Sequence, residues 1–432
     1  MNKHLGHSIS EVFLCFAIQR NLERILGEGN PNYLFCLNGV RVLSITWIVL
    51  GNTVSFLYRE PNVVANVVEV PEAAQRFVFQ FVINATFAAD TFFILSGTLL
   101  AYNWMKQEEK KNKFTVKQLL MMYFHRFVRI APCYYVLIMT YTNLLPYFGE
   151  GPGWKYTSDS IRQCKDHWWA NALFISNFYK ADDMCMTWTY YLVNDFQFYL
   201  ISPIVLIPLS RCPPLAFVLI ILLVLTQIVT TAVFNKNING NILRMTGGFF
   251  EDIYAKPYCR VGVFAIGIAL GYAIYMAGRH VYFRKTPLVV GWCVALCTLS
   301  VVVFITYDEN RVGGTHWTGT QTAVYEALSR PAWGLGVSWI IFCCCIGQGG
   351  IADKILSWNV FLPLCRITYG IYLLHPLLIV LIVDTSKTLI YLDATSVLNL
   401  FVFILVISMG LALMFMASVE GPIIRLETLL LH

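Results

Sequence analysis

The chain has 432 residues, of which 57% are hydrophobic and only 13% charged. A soluble domain is about 45–50% apolar and about 25% charged, so roughly half the usual charge is missing. The deficit falls in repeated blocks of about 20 residues, each long enough to cross a hydrocarbon core of about 30 Å. This excludes a soluble enzyme, a disordered chain and a small disulfide scaffold.

The fold class is therefore an all-α polytopic membrane protein. Backbone at membrane depth must satisfy its own hydrogen bonds, and the alternating pattern of a barrel is absent. Before the first span, residues 1–36 read as a cytoplasmic N-terminal segment, since Met1–His7 is largely polar and Val12–Ile18 is a short apolar run without a cleavage site. Hydropathy predicts about ten spans, at 40–58, 78–102, 130–148, 190–210, 214–234, 258–277, 287–307, 325–346, 359–383 and 397–418. Residues 421–432 read as a cytoplasmic tail.

Between spans one and two the only basic residues are Arg59 and Arg76, against three acids. Between spans two and three lie Lys106, Lys110, Lys111, Lys113, Lys117, Arg126 and Arg129. The positive-inside rule makes the second segment cytoplasmic, and ten spans then put both termini in the cytoplasm. Arg279, Arg284 and Lys285 fall on the same side. The resident membrane is the plasma membrane or the endoplasmic reticulum.

The loop 149–187 faces the opposite compartment, which permits disulfides, and a Cys164–Cys185 bridge is expected there. The aromatic stretch 168–179 within it reads as an interfacial loop. Cys293, Cys297, Cys343, Cys344 and Cys345 lie in apolar blocks and read as small packing residues. The triplet Asn84-Ala85-Thr86 lies inside a span and should escape glycosylation.

An ionisable group inside a span costs about 2.5–3.5 kcal/mol on insertion scales, so each needs a reason. Arg41 and Asn52 are eleven residues apart and share one helix face, with an axial separation of about 16 Å. Arg41 then sits at the cytoplasmic rim and Asn52 in mid-membrane. A plainer account is a snorkelling arginine and an interhelical hydrogen bond. Asp90 lies in span two, and Asp195 in span four is flanked by Tyr191 and Tyr199 at i−4 and i+4. Both acids are also candidates for structural ion pairs with Arg260 or Arg366.

His375 stands in TYGIYLLHP (Thr368–Pro376), where Pro376 should kink the helix. His125, Arg126 and Arg129 cluster in HRFVRIAPCYY (His125–Tyr135), either as positive-inside anchors or as an anion site matched to phosphate oxygens. Gly267-xxx-Gly271 reads as close helix packing. No ligand spacing indicates a metal, and no nucleotide loop or nucleic-acid signature is present.

In order, LNGVRVLSITWIVLGN (Leu37–Asn52), FFILSG (Phe92–Gly97), HRFVRIAPCYY, YYLVNDFQFYLISP (Tyr190–Pro203) and TYGIYLLHP together resemble the acyltransferase 3 family. SRPAWGLGVSWIIFCCCIGQGG (Ser329–Gly350) and SVEGPIIRLE (Ser418–Glu427) are similar to its animal branch of nose resistant to fluoxetine proteins. The resemblance implies a ten-helix domain, here 37–420, that takes an acyl group, often acetyl, from acyl-CoA on the cytoplasmic side. Delivery would be to a lipid or carbohydrate acceptor on the far side. It further implies that Arg126 and Arg129, helped by His125, bind coenzyme A phosphates and that Arg41 orients the donor. Asn52 would occupy the reaction centre, and Asp90 and Asp195 would complete a polar core with Tyr191 and Tyr199.

The animal branch usually carries a Cys-containing extracellular domain ahead of the membrane domain, which makes a fragment or a shortened relative the expectation here. A second departure concerns chemistry. Where the family's first helix has an arginine, ten residues and a histidine, this chain has Arg41 and then Asn52. Asparagine cannot act as a general base, so His375 and Asp195 are the candidate substitutes. The alternative is a catalytically impaired relative that handles lipids or small molecules by transport. A seven-helix receptor fits poorly with ten spans and intramembrane acids.

Overall fold

The computed structural model describes residues 10–27, 34–59, 63–69, 72, 75–111, 115–151, 153–238, 248–278, 281–311, 313–314 and 316–431. Long uncharged runs form helices because each backbone group then finds its partner within its own segment. The helices are α1 (Ile18–Leu26), α2 (Cys36–Arg59), α3 (Phe87–Lys111), α4 (Val116–Met139), α5 (Trp154–Ala172), α6 (Tyr190–Ile201), α7 (Pro203–Arg211) and α8 (Pro213–Ile238). They continue with α9 (Val261–Ala277), α10 (Lys285–Phe304), α11 (Gly319–Cys345), α12 (Gly350–Leu356), α13 (Phe361–Asp384), α14 (Ala394–Phe415) and α15 (Gly421–Leu431). Among the described residues the sole β pairing is one isolated bridge, Val64 with Ile390.

Among the described residues seven helical segments are long and apolar enough to cross a membrane, and the pair α6–α7, bent by 41°, makes eight if taken as one span. The expected count of ten is not reached on length and composition. Two expected spans fall short: α9 has only 17 residues, and α4 carries His125, Arg126 and Arg129 within its length.

Local chemistry accounts for the shifted boundaries. A capping box between Thr115 and Gln118 starts α4 at Val116, well before the expected residue 130. Likewise α5 runs to Ala172, into the stretch expected to be an interfacial loop. The chain leaves that helix through Phe174, at φ 56°, and a 3-10 turn at Ser176–Phe178. Cys164 on α5 is disulfide-bonded to Cys185, and both are buried. Asn84 is also buried, its side-chain amide donating to the carbonyls of Gln80 and Val303. Lys113 and Arg279 lie outside the described residues.

The apolar windows of α3, α11 and α13 are each 67% buried, against 17% for α8 and α10. The former are inner helices and the latter present most of their surface outward. α9 lies along α3 at very close range. A Cβ at Gly97, Gly267 or Gly271 would collide with the carbonyl of Phe264, Ile94 or Thr98 on the facing helix. Thr98 Oγ1 also donates to the Gly267 carbonyl at 3.1 Å. The Gly267-xxx-Gly271 spacing thus does the packing work read from it.

Two apolar clusters make up most of the core. One joins Ile45 and Val49 of α2 to residues of α4, α13 and α14, and the other joins α3, α7, α9 and α11. Phe92 and Tyr191 pack against both. Several of the polar residues singled out in the sequence, Arg126, Asp195, Asn52 and His375 among them, lie along this seam.

Candidate active site

Pro376 has no N–H, so the helical carbonyl one turn earlier loses a donor and α13 can bend. Next to it, His375 is fully buried and its Nδ1 lies 2.8 Å from the Ile371 carbonyl. A carbonyl only accepts, so Nδ1 carries the proton and Nε2 presents a lone pair. That lone pair faces Asn52 Nδ2 at 2.9 Å. The two tautomers are not equivalent here: with the proton on Nε2, two acceptors would face each other at Nδ1. The basic nitrogen therefore points at Asn52.

Nearer the start of α2 lie the arginines. Arg126 Nη2 forms a close ion pair with Asp195 Oδ2, and the guanidinium sits 4.9 Å over the Tyr199 ring. It also reaches Ser96 Oγ at 3.4 Å. Tyr191 continues the wall inward, its ring 4.7 Å from Phe93 and 5.5 Å from Tyr372, whose own ring is 6.4 Å from His375. A continuous aromatic surface thus links the Arg126–Asp195 pair to the imidazole.

Arg41, half-buried, points its Nη1 at Cys365 Sγ, 3.8 Å away. Arg129 is exposed, lies in the fields of Arg126, Arg41 and Glu420, and makes no hydrogen bond or ion pair among the described residues. Among the described residues its donors are therefore to spare. His125, grouped with these arginines in the sequence, turns instead to Glu427 of α15.

Asp90 is committed elsewhere. One carboxylate oxygen takes Arg260 Nη1 at 2.8 Å and the other Arg330 Nη1 at 2.9 Å. Glu326 stands 3.8 Å from Arg330, so two acids and two arginines balance with almost no exposed surface. Arg260 further donates to the Tyr254 carbonyl and lies over its ring at 4.4 Å. Arg366, weighed as a partner for the acids, holds the carbonyls of Arg24, Ile25 and Gly27 instead. Sequence reasoning missed Arg330, Glu326 and Glu420. Each stands at or near a predicted span, and the cost rule applied to Asp90 would have flagged all three.

At the other end of α2, a cavity of 120 Å³ is lined by Phe56, Tyr141, Asp159, Thr187, Trp188 and Asp384, among others. Phe56 is one turn beyond Asn52 on the same face. The seam therefore has an arginine end, a centre in which half-buried Asn52 meets buried His375, and an acidic, aromatic-lined recess.

An all-α, multi-pass membrane scaffold with an Asn52–His375 pair between α2 and α13 is the class this architecture defines. The chain belongs to the acyltransferase 3 family: the family model for an acyltransferase domain matches residues 34–418. It is similar to nose resistant to fluoxetine protein 6 of Caenorhabditis elegans, with 29% identity over 87% of this chain and 48% of that one. It is also similar to the regulator of hypoxia-inducible factor 1 of the same organism, at 24% identity over 95% of this chain and 84% of that one. The chain thus spans about half the length of the first relative. No solved structure matches.

Proposed function

We propose that the chain moves an acyl group from an acyl-CoA donor to a hydroxyl of a lipid or carbohydrate acceptor. The 2.9 Å contact between Asn52 Nδ2 and the unprotonated His375 Nε2 is the observation that carries this reading. An acceptor hydroxyl replacing the Asn52 amide at Nε2 gives up its proton to the imidazole as its oxygen attacks the thioester carbonyl. The freed Asn52 N–H groups then face the oxyanion of the tetrahedral intermediate. Collapse breaks the carbon–sulfur bond, and the imidazolium returns its proton to the departing thiolate.

Arg129, with Arg41 nearby, binds the donor's phosphates, since guanidinium forks match phosphate oxygens. Arg126 is largely neutralised by Asp195 and acts with Tyr191 and Tyr199 to shape the channel for the donor's arm. The arginine end is cytoplasmic, as are both termini, and the acceptor enters through the recess at Phe56 and Trp188. Acyl-CoA is a substrate in this scheme, and no resident cofactor takes part.

One observation favours the transport alternative: His375 has no exposed surface and its lone pair is already engaged. The purified protein in lipid nanodiscs, given acyl-CoA labelled in the acyl group and a membrane lipid and glycan extract, separates the two. Label appearing in an extract component, dependent on the protein, supports transfer. Release of no label into any component while the protein still moves lipid between leaflets supports transport.

A further inference from the structure

Cys36 opens α2, and its sulfur lies 3.8 Å from that of Cys345 near the end of α11, 309 residues away. Cys344, its neighbour in sequence, is on the same spot: the ligand atoms of Cys36, Cys344 and Asp353 all lie within 4.8 Å of one another. Cys36 and Cys344 are buried, and Asp353 is half-buried. Ser357 Oγ donates to Asp353 Oδ1 at 2.8 Å, which orients the carboxylate. The tight turn between α11 and α12, with Gly347 at φ 79° and Gly350 at φ 58°, brings Asp353 back over Cys344. A Cβ at Gly349 would meet the Cys344 sulfur at 2.7 Å, so the approach requires glycine there.

We infer that Cys36, Cys344 and Asp353 bind a thiophilic divalent cation, zinc(II), with Cys345 next in line for the fourth position. Three arguments beyond proximity support this. Two thiolates on tetrahedral zinc, at about 2.3 Å each, stand about 3.8 Å apart, so the sulfurs need only small rotations to close on an ion. Cys36 lies in the first turn of α2, where the positive end of the helix favours an anionic ligand. Ser357 supplies the hydrogen bond that a ligating carboxylate ordinarily receives from its surroundings. Binding releases the two thiol protons to water as both sulfurs become thiolates. The ion would fasten the start of α2, five residues before Arg41, to the α11–α12 turn. Ligands this far apart along the chain leave no spacing motif from which a metal could be read.

The test uses the full-length protein in detergent, first stripped with a chelator and then loaded with zinc or cobalt(II). Expected are one zinc per chain and a sulfur-to-cobalt charge-transfer band. Both should be lost in Cys36→Ser and Cys344→Ser, retained in Cys343→Ser, and weakened about 10-fold or more in affinity in Asp353→Asn. If the serine variants fail to fold, the unaltered protein decides by itself. Zinc should protect Cys36 and Cys344 from alkylation, and the chelator should restore their labelling. No cobalt band, no zinc protection, or a Cys36–Cys345 disulfide in the unreduced peptide map overturns the assignment.

Discussion

Arg260 and Asp90 meet at 2.8 Å with no surface of either side chain exposed. The pair ties α9 to α3, and Arg330 brings in α11 through the second carboxylate oxygen. Removing one member leaves uncompensated buried charge, which costs about 3–5 kcal/mol. Asp90→Asn should therefore abolish the monodisperse peak in size-exclusion chromatography or lower the thermal midpoint sharply. Arg162→Ala, which breaks an exposed pair with Asp159, should change stability by no more than about 0.5 kcal/mol.

The close approach of α9 and α3 makes a second prediction. Gly267→Leu places a side chain against the Ile94 backbone, where no rotamer change relieves the clash. Overpacking of this kind costs about 1–3 kcal/mol and more where backbone must move. Thermal unfolding in detergent should show it, whereas Gly410→Leu, at a position with nothing within 4 Å, should leave the midpoint in place.

Arg366 acts as a clamp on the N-terminal helix. Its Nη1 caps the C-terminal carbonyls of α1, and Asn21 of α1 donates to the Ala417 carbonyl at 2.9 Å. Charged hydrogen bonds of this kind contribute about 1.5–3 kcal/mol when well enclosed. In Arg366→Met, limited proteolysis should cut within residues 18–26 faster than in the unaltered protein, with α2 onward still protected. Equal cutting rates would assign the anchoring instead to Asn21 and to Arg425, which donates to the Leu14 and Arg20 carbonyls.

Much of the scaffold was legible in the residues themselves. Long apolar runs located α2, α3, α8, α10, α11, α13 and α14, because lipid leaves a helix no other way to satisfy its backbone. Segments of mixed character were misjudged: α4 starts earlier than hydropathy shows because a cap and not apolarity sets its first turn. α5 is polar enough to read as loop, yet buries Ile161 and Cys164 against the core.

At the site, Asn52 and His375 were each singled out, but their contact joins positions 323 residues apart. Only the fold brings them together. Asp90 pairs with Arg260, one of the two partners weighed for it, while its second partner is Arg330 and not Arg366. His125 followed its neighbours Arg126 and Arg129 by proximity in sequence, but adjacent residues on a helix point about 100° apart, and it faces α15.

The central claim assigns different work to the two ends of the seam: Arg129 holds the donor, and His375 moves the proton. Steady-state transfer kinetics with labelled acyl-CoA, run on His375→Gln and Arg129→Ala beside the unaltered protein, test that division directly. The account predicts a loss in kcat of about 10²–10⁴-fold for His375→Gln with little change in KM for the donor. For Arg129→Ala it predicts a raised donor KM with kcat nearly kept. Transfer at an undiminished kcat in His375→Gln would contradict it.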